Sequence, residues 1–135
     1  MPIGKKVKKI DRLKSDKDFE LVFNKGTAII SEDRKLKAKY FFSNKTENKT
    51  VQLGVSVAAK KGNSVWRNRI KRILREALIK EKETLAGIAN QKNKNLLIIF
   101  SPYSLNQNSS IKTYLREINP AVLDILNKLK FSIAQ

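Results

Sequence analysis

The stretch LGVSVAAKKGNSVWRNRIKRILREAL, residues 53–78, changes its hydrophobic period halfway along. VQLGVSV (51–57) alternates, putting Val51, Leu53, Val55 and Val57 on one side of a strand. Beyond Gly62 the apolar residues recur at helical spacing. At about 100° per residue, Trp66, Ile70, Ile73, Leu74, Ala77 and Leu78 form one arc of a helix. That helix is predicted to begin near Asn63 or Ser64 and to reach about Thr84. Its other sides are unusual: Arg67, Arg69, Lys71, Arg72 and Arg75 follow one another with no carboxylate before Glu76. Like charges three and four apart destabilise an isolated helix, and ordinary solvated faces mix signs. A helix that repels itself in this way calls for a polyanionic partner. Arginine forks suit phosphate because they give bidentate charge-assisted hydrogen bonds, and Asn68 between two arginines can donate to phosphate or ribose, or read a base edge. Trp66 shares the phase of Ile70 and Ile73, so it reads as core and not as a base-stacking platform.

The whole chain carries the same sign. Lys+Arg 29 against Asp+Glu 12 gives a formal charge of +17 over 135 residues, a field that attracts polyanions. Hydrophobic residues at 41% suffice for one domain with a modest core. The absence of Cys removes disulfides, zinc knuckles and thiol nucleophiles. The absence of His removes imidazole bases and Ser-His-Asp triads. No P-loop or dinucleotide fingerprint appears. Asp11, Asp16, Asp18, Asp33 and Asp124 are scattered along the chain, against the clustered ligands a metal-dependent nuclease needs. No catalytic residue and no metal ligand is therefore assigned. MPIGKKVKKI (1–10) lacks the apolar run of a secretory signal, and the longest apolar run, LLIIF (96–100), is too short to span a bilayer. A cytoplasmic protein is expected; a membrane partner is the weaker reading, and charge alone leaves RNA and DNA open.

Outward from the decisive stretch, residues 1–12 read as a mobile basic arm on one RNA-binding domain, 1–135. SDKDFELVFNKG (15–26) reads as a short helix with Ser15 as cap and Asp18 completing a capping-box pattern. Phe19, Val22 and Phe23 share its face, and Gly26 ends it. LKAKYFF (36–42) is a strand, TAII (27–30) a weaker one, and SNKTENKT (43–50) the loop before the next strand. NLLIIF (95–100) is a fully buried strand closed by Pro102. Ile111, Leu115, Ile118, Val122, Leu126 and Leu129 recur at helical spacing, with Asn119-Pro120 either restarting or kinking that helix.

Residues 53–78 resemble the signature region of the bacterial ribonuclease P protein component, with RNR, IKR and LREA following GNSV in that family's order. Weaker likeness extends over roughly 10–102. One departure is local: where the family commonly has Ser-Lys-Lys and an aliphatic residue before the glycine, Ala58, Ala59, Lys60 and Lys61 stand here. The resemblance implies an α+β fold, a small mixed sheet of about four strands carrying helices, with the RNR helix in a left-handed βαβ crossover. Ordinary crossovers are right-handed, so no pattern in the sequence implies that hand.

The resemblance also implies a role: the protein subunit of ribonuclease P, binding the catalytic RNA and the 5′ leader of precursor tRNA, with the RNA and its magnesium carrying out hydrolysis. The protein itself would bind no cofactor, and neither a membrane nor DNA would be a partner. By resemblance, Arg67, Asn68, Arg69, Lys71, Arg72 and Arg75 face the catalytic RNA. Phe19, Phe23 and Tyr40, with Lys60 nearby, line a cleft for the single-stranded leader, where stacking on aromatics in a positive groove suits unpaired nucleotides. Periodicity alone also allows core packing for Phe19 and Phe23, and both can hold. The competing function is a general RNA-binding or ribosomal-type protein using the basic helix as a phosphate clamp. A stand-alone nuclease is the distant third.

Overall fold

A computed structural model describes residues 10–44, 51–107 and 115–134. Five strands form one mixed sheet: β1 (Ile10–Arg12), β2 (Thr27–Ile30), β3 (Leu36–Ser43), β4 (Val51–Val55) and β5 (Asn95–Pro102), in the order β1-β4-β5-β3-β2. β4 is parallel to both β1 and β5, while β3 is antiparallel to β5 and to β2. The helices are α1 (Asp16–Lys25), α2 (Ser64–Lys80), α3 (Lys82–Lys92) and α4 (Leu115–Ile133). The parallel neighbours β4 and β5 are joined through α2 and α3, which is the βαβ crossover.

β5 sits at the centre because its sequence suits no other position. Every residue from Asn95 to Phe100 is buried. Leu96, Ile98 and Phe100 enter the main core with Leu36, Ala38 and Val51, beneath α2, α3 and α4. Leu97 and Ile99 point the other way, into a smaller core with Leu13 and Val22 under α1. An apolar run without alternation is the signature of a strand covered on both faces.

The apolar arc of α2 falls where its period places it: Ile70, Ile73, Leu74, Ala77 and Leu78 are buried, and Trp66 packs half-buried against the same core. Full burial of an Ile or Leu stabilises by roughly 1.5–3 kcal/mol, against about 0.2–0.5 kcal/mol lost per like-charge pair. Burial therefore wins, and the helix forms despite its cations. The Asn63 side chain accepts from the Trp66 N–H at 2.9 Å, capping the helix, with no carboxylate in the first turn. Gly62 is required by proximity: a Cβ there would come 2.7 Å from the Trp66 ring and 2.9 Å from Gln107 Cβ.

Two expectations are corrected. The helix expected to reach Thr84 stops at Lys80, and a separate α3 buries Leu85, Ile88 and Ala89. The basic arm expected over residues 1–12 lies outside the described residues at 1–9, but Ile10–Arg12 is a fifth strand, paired with Val51–Leu53. The loop expected over 43–50 lies outside them at 45–50. α4 runs without a restart through Pro120. Gly26 does end α1, but with extended backbone (φ −76°) and not in the left-handed region. A Cβ there would collide with the Val22 carbonyl oxygen and lie 2.9 Å from that of Tyr40. Ser15 caps α1 through the Lys17 N–H, at 3.2 Å. α4 is tied to the β2–β3 turn: the Glu32 N–H donates to Asp124 Oδ2 at 2.7 Å, and Lys128 Nζ donates to the Ile30 carbonyl at 2.9 Å.

Candidate nucleic-acid interface

Two cation-rich surfaces lie on opposite faces of the sheet. On the first, α2 is anchored by its apolar arc and turns the rest of its circumference away from the core. Asn68, Arg69 and Arg72 are exposed; Arg67, Lys71 and Arg75 are half-buried along the arc's edges. Arg67 is positioned from below, its Nε donating to the Gly62 carbonyl at 3.0 Å. Burial, and then the neighbouring Arg12 guanidinium, push the Arg75 pKa down from its ordinary value. A guanidinium still holds its proton at neutral pH, so Arg12 and Arg75 remain two like charges side by side. Arg12, Arg75 and Asp11 line a groove floored by Ile10, Leu53, Val55, Leu78 and Ile79 at the β1 edge. The six residues expected on this face thus lie on one helix and one side of the molecule.

The second surface belongs to α1. Phe19 and Phe23 stand one turn apart with ring centroids 6.2 Å apart and planes tilted by 31°. They differ in burial. Phe19 packs on the smaller core, over Gly54, where a Cβ would come 3.1 Å from Phe19 Cζ, 3.2 Å from Ile99 Cγ1 and 3.2 Å from Leu13 Cδ2. The missing side chain at Gly54 is what lets the ring lie down on the sheet. Phe23 is 43% exposed. Lys39 Nζ lies 5.8 Å from the Phe23 ring centroid and donates to the Phe23 carbonyl at 2.8 Å. That places a cation both at the negative end of α1 and against an exposed aromatic face.

Tyr40 does not join them. It lies opposite Ile98 in register and packs on the main core, edge-to-face with Phe42 at 5.7 Å. Alternation along β3 sends Leu36, Ala38, Tyr40 and Phe42 to the α2–α4 side, leaving Lys37, Lys39 and Phe41 on the α1 side. The aromatic on the correct face is Phe41, which packs on the smaller core. Lys39 and Phe41 were missed because strand parity was not carried through the apolar end of LKAKYFF. Lys60 is exposed in a single 3-10 turn, Ala59–Lys61, where the chain passes from β4 to α2. Its neighbour Lys61 is anchored, Nζ donating to the Tyr103 carbonyl at 2.5 Å.

No three acidic side chains converge into a metal-holding group among the described residues. Nor, among them, is any helix long and apolar enough to cross a membrane. What the arrangement offers is binding: phosphate contacts on one face, and stacking beside cations on the other.

The family model described as Ribonuclease P matches residues 7–124. A ribonuclease P protein component from Bacillus velezensis is 37% identical over 93 residues, covering 69% of this chain and 72% of that one. One from Streptococcus agalactiae is 40% identical over 79 residues, covering 58% and 68%. The Staphylococcus aureus RNase P protein structure superposes with a TM-score of 0.65 at 25% identity, covering 88% of this chain and 94% of that one. The Thermotoga maritima RNase P protein shares the fold, with a TM-score of 0.68 at 21% identity over 87% and 96% of the two chains. The chain belongs to the ribonuclease P protein component family, the protein subunit of the endoribonuclease that processes tRNA 5′ ends.

Proposed function

We propose that the two faces divide the work of that subunit: the cationic side of α2 docks on the catalytic RNA, and the α1 face holds the single-stranded 5′ leader of precursor tRNA. The observation that carries this reading is the opposition of the surfaces. Arg67, Asn68, Arg69, Lys71, Arg72 and Arg75 share one helix on one side of the sheet, while Phe19, Phe23 and Lys39 share the other. Phosphates supply affinity for structured RNA on a cationic helix. Unpaired bases are held by stacking beside cations, with little sequence preference. Holding both RNAs on one rigid sheet lowers the entropic cost of bringing the scissile bond to the catalytic RNA.

In this reading the chemistry lies with the RNA and its magnesium ions, the protein carries no cofactor of its own, and the holoenzyme works in the cytoplasm. Lys60 is exposed in the turn between β4 and α2, and in this reading it would meet the leader near the catalytic RNA. Reconstitution with a bacterial ribonuclease P RNA, assayed on precursor tRNA at low magnesium, tests the proposal. Leader removal should require the RNA and be stimulated by the protein, and the holoenzyme should bind precursor more tightly than mature tRNA. Cleavage by RNA-free protein, or equal affinity for the two tRNAs, would overturn it.

A further inference from the structure

α1 covers only part of its face of the sheet. Phe41, Leu97 and Ile99 lie beneath it. Lys37 and Ser101, paired in register, continue the same face beyond it. The β3–β5 ladder then runs one step further, with the Tyr103 N–H donating to the Lys35 carbonyl at 2.8 Å and the Ser104 N–H to the Arg34 carbonyl at 3.0 Å. Two residues on from Ser101, Tyr103 stands on the α1 side by strand alternation.

Two cations stand against the half-buried Tyr103 ring, and a third holds its backbone. The Arg34 guanidinium carbon is 5.6 Å from its centroid and Lys37 Nζ is 5.9 Å. Lys61 Nζ holds the Tyr103 carbonyl. Arg34 reaches the ring from left-handed backbone, φ 63°, an uncommon conformation for a side chain of this kind. Among the described residues none of Arg34, Lys37 and Lys61 is ion-paired with a carboxylate. One aromatic face with cations beside it matches a nucleotide, base on ring and phosphate on cations. Lys37 against Tyr103 repeats Lys39 against Phe23. The two lysines are two residues apart on β3, hence roughly 7 Å.

We propose that Tyr103, with Arg34, Lys37 and Lys61, is a second nucleotide-stacking station for single-stranded RNA, beyond Phe19 and Phe23 on the same face. This rests on the leader reading above and adds that a longer leader extends to Tyr103. The test uses the reconstituted holoenzyme and precursor tRNAs whose leaders are lengthened one nucleotide at a time, comparing the parent with Tyr103→Leu, Tyr103→Phe and Phe23→Leu. With Tyr103→Leu, affinity should drop by about 5- to 150-fold only once the leader is long enough to reach the ring. Tyr103→Phe should restore the length dependence, and Phe23→Leu should lose affinity at shorter leaders. If Tyr103→Leu also lowers the melting temperature, Lys37→Gln carries the test, flattening the salt dependence for long leaders alone. A Tyr103→Leu loss that is absent, or equal at every length and for mature tRNA, overturns the second station. If Phe23→Leu still lowers the precursor preference, the leader reading survives that result; if neither variant changes it, both readings fall.

Discussion

Lys71→Gln separates what the cationic helix costs the free protein from what it contributes to RNA binding. Lys71 lies one helical turn after Arg67 and one before Arg75, so it takes part in two like-charge pairs at the spacing where side chains meet. Each such pair costs about 0.2–0.5 kcal/mol. Neutralising Lys71 should therefore raise the stability of the free protein by up to about 1 kcal/mol at low ionic strength, and by less as salt screens the pairs. Glutamine keeps the helix propensity close to that of lysine. For a chain of this length the gain is about 3–6 °C in melting temperature per kcal/mol.

RNA binding should move in the opposite direction. Losing one phosphate contact makes the dependence of log affinity on log salt shallower by about 0.9. Between about 50 and 200 mM salt the variant should then lose about 3.5-fold less affinity than its parent. Adding Arg72→Gln brings the change in slope to about 1.8 and the difference to about 12-fold. Thermal melts of the free protein, and titrations with a bacterial ribonuclease P RNA at several salt concentrations, measure both quantities. A salt slope parallel to the parent's would show that this side of α2 does not meet RNA. A melting temperature that falls would show that Lys71 is held by its half-buried setting, and that repulsion along the helix is not its main effect.

Ile70 has no exposed surface, so Ile70→Ala should cost about 2–5 kcal/mol, read as a lower midpoint in urea with an unchanged slope. Phe23→Leu and Phe19→Leu should each lower the ratio of precursor to mature tRNA affinity. Phe19→Leu should lower the melting temperature more, because its ring is packed on the smaller core; equal melting shifts would contradict that difference in burial. Gly54→Val places methyl groups where Phe19, Leu13 and Ile99 already crowd, and should cost about 1–3 kcal/mol while weakening leader binding by lifting the Phe19 ring. Retained stability and retained precursor preference would show that the ring has no need of the Gly54 gap.

Most of this architecture is legible as periodicity. The unbroken apolar run of β5, the alternation of β4 and the arc of α2 each specify one face or two; β5 and most of the α2 arc are buried as the pattern demands, while Leu53 and Val55 of β4 stay half-buried beside the groove. What escapes is non-local. Ile10–Arg12 becomes a strand only because Val51–Leu53 lies beside it, and three residues carry no pattern of their own. α3 hides behind the charged end of α2, and its buried positions are only Leu85, Ile88 and Ala89. Tyr40 was misassigned because a strand that becomes apolar on both faces, as at Tyr40-Phe41-Phe42, no longer announces its parity; pairing with Ile98 decides it. Lys39 and Tyr103 are joined in one aromatic surface only through register, since β4, α2, α3 and β5 lie between them along the chain.

The sheet's thickness has a functional consequence. β5 is buried on both sides, so it is a rigid plate between α2 and α1, and an RNA bound to one face reaches the other only around an edge. One passage between the faces is the turn Ala59–Lys61, where the chain leaves β4 to begin α2. Lys61 ties that turn to Tyr103 by its side chain, and its carbonyl accepts from the Gln107 N–H at 2.7 Å; Gln107 Oε1 in turn accepts from the Asn63 N–H at the start of α2, at 2.8 Å. The start of the cationic helix and the open end of the aromatic face are therefore held by one hydrogen-bonded cluster. Lys61 makes part of that link with a charged side chain. Lys61→Met would keep the length and apolar stem of the side chain but remove its bond to Tyr103. If the link orients one RNA relative to the other, that variant should slow leader removal at saturating precursor tRNA while leaving assembly with the catalytic RNA within a few-fold of the parent. Equal losses in assembly and turnover would instead make Lys61 one more phosphate contact to the catalytic RNA.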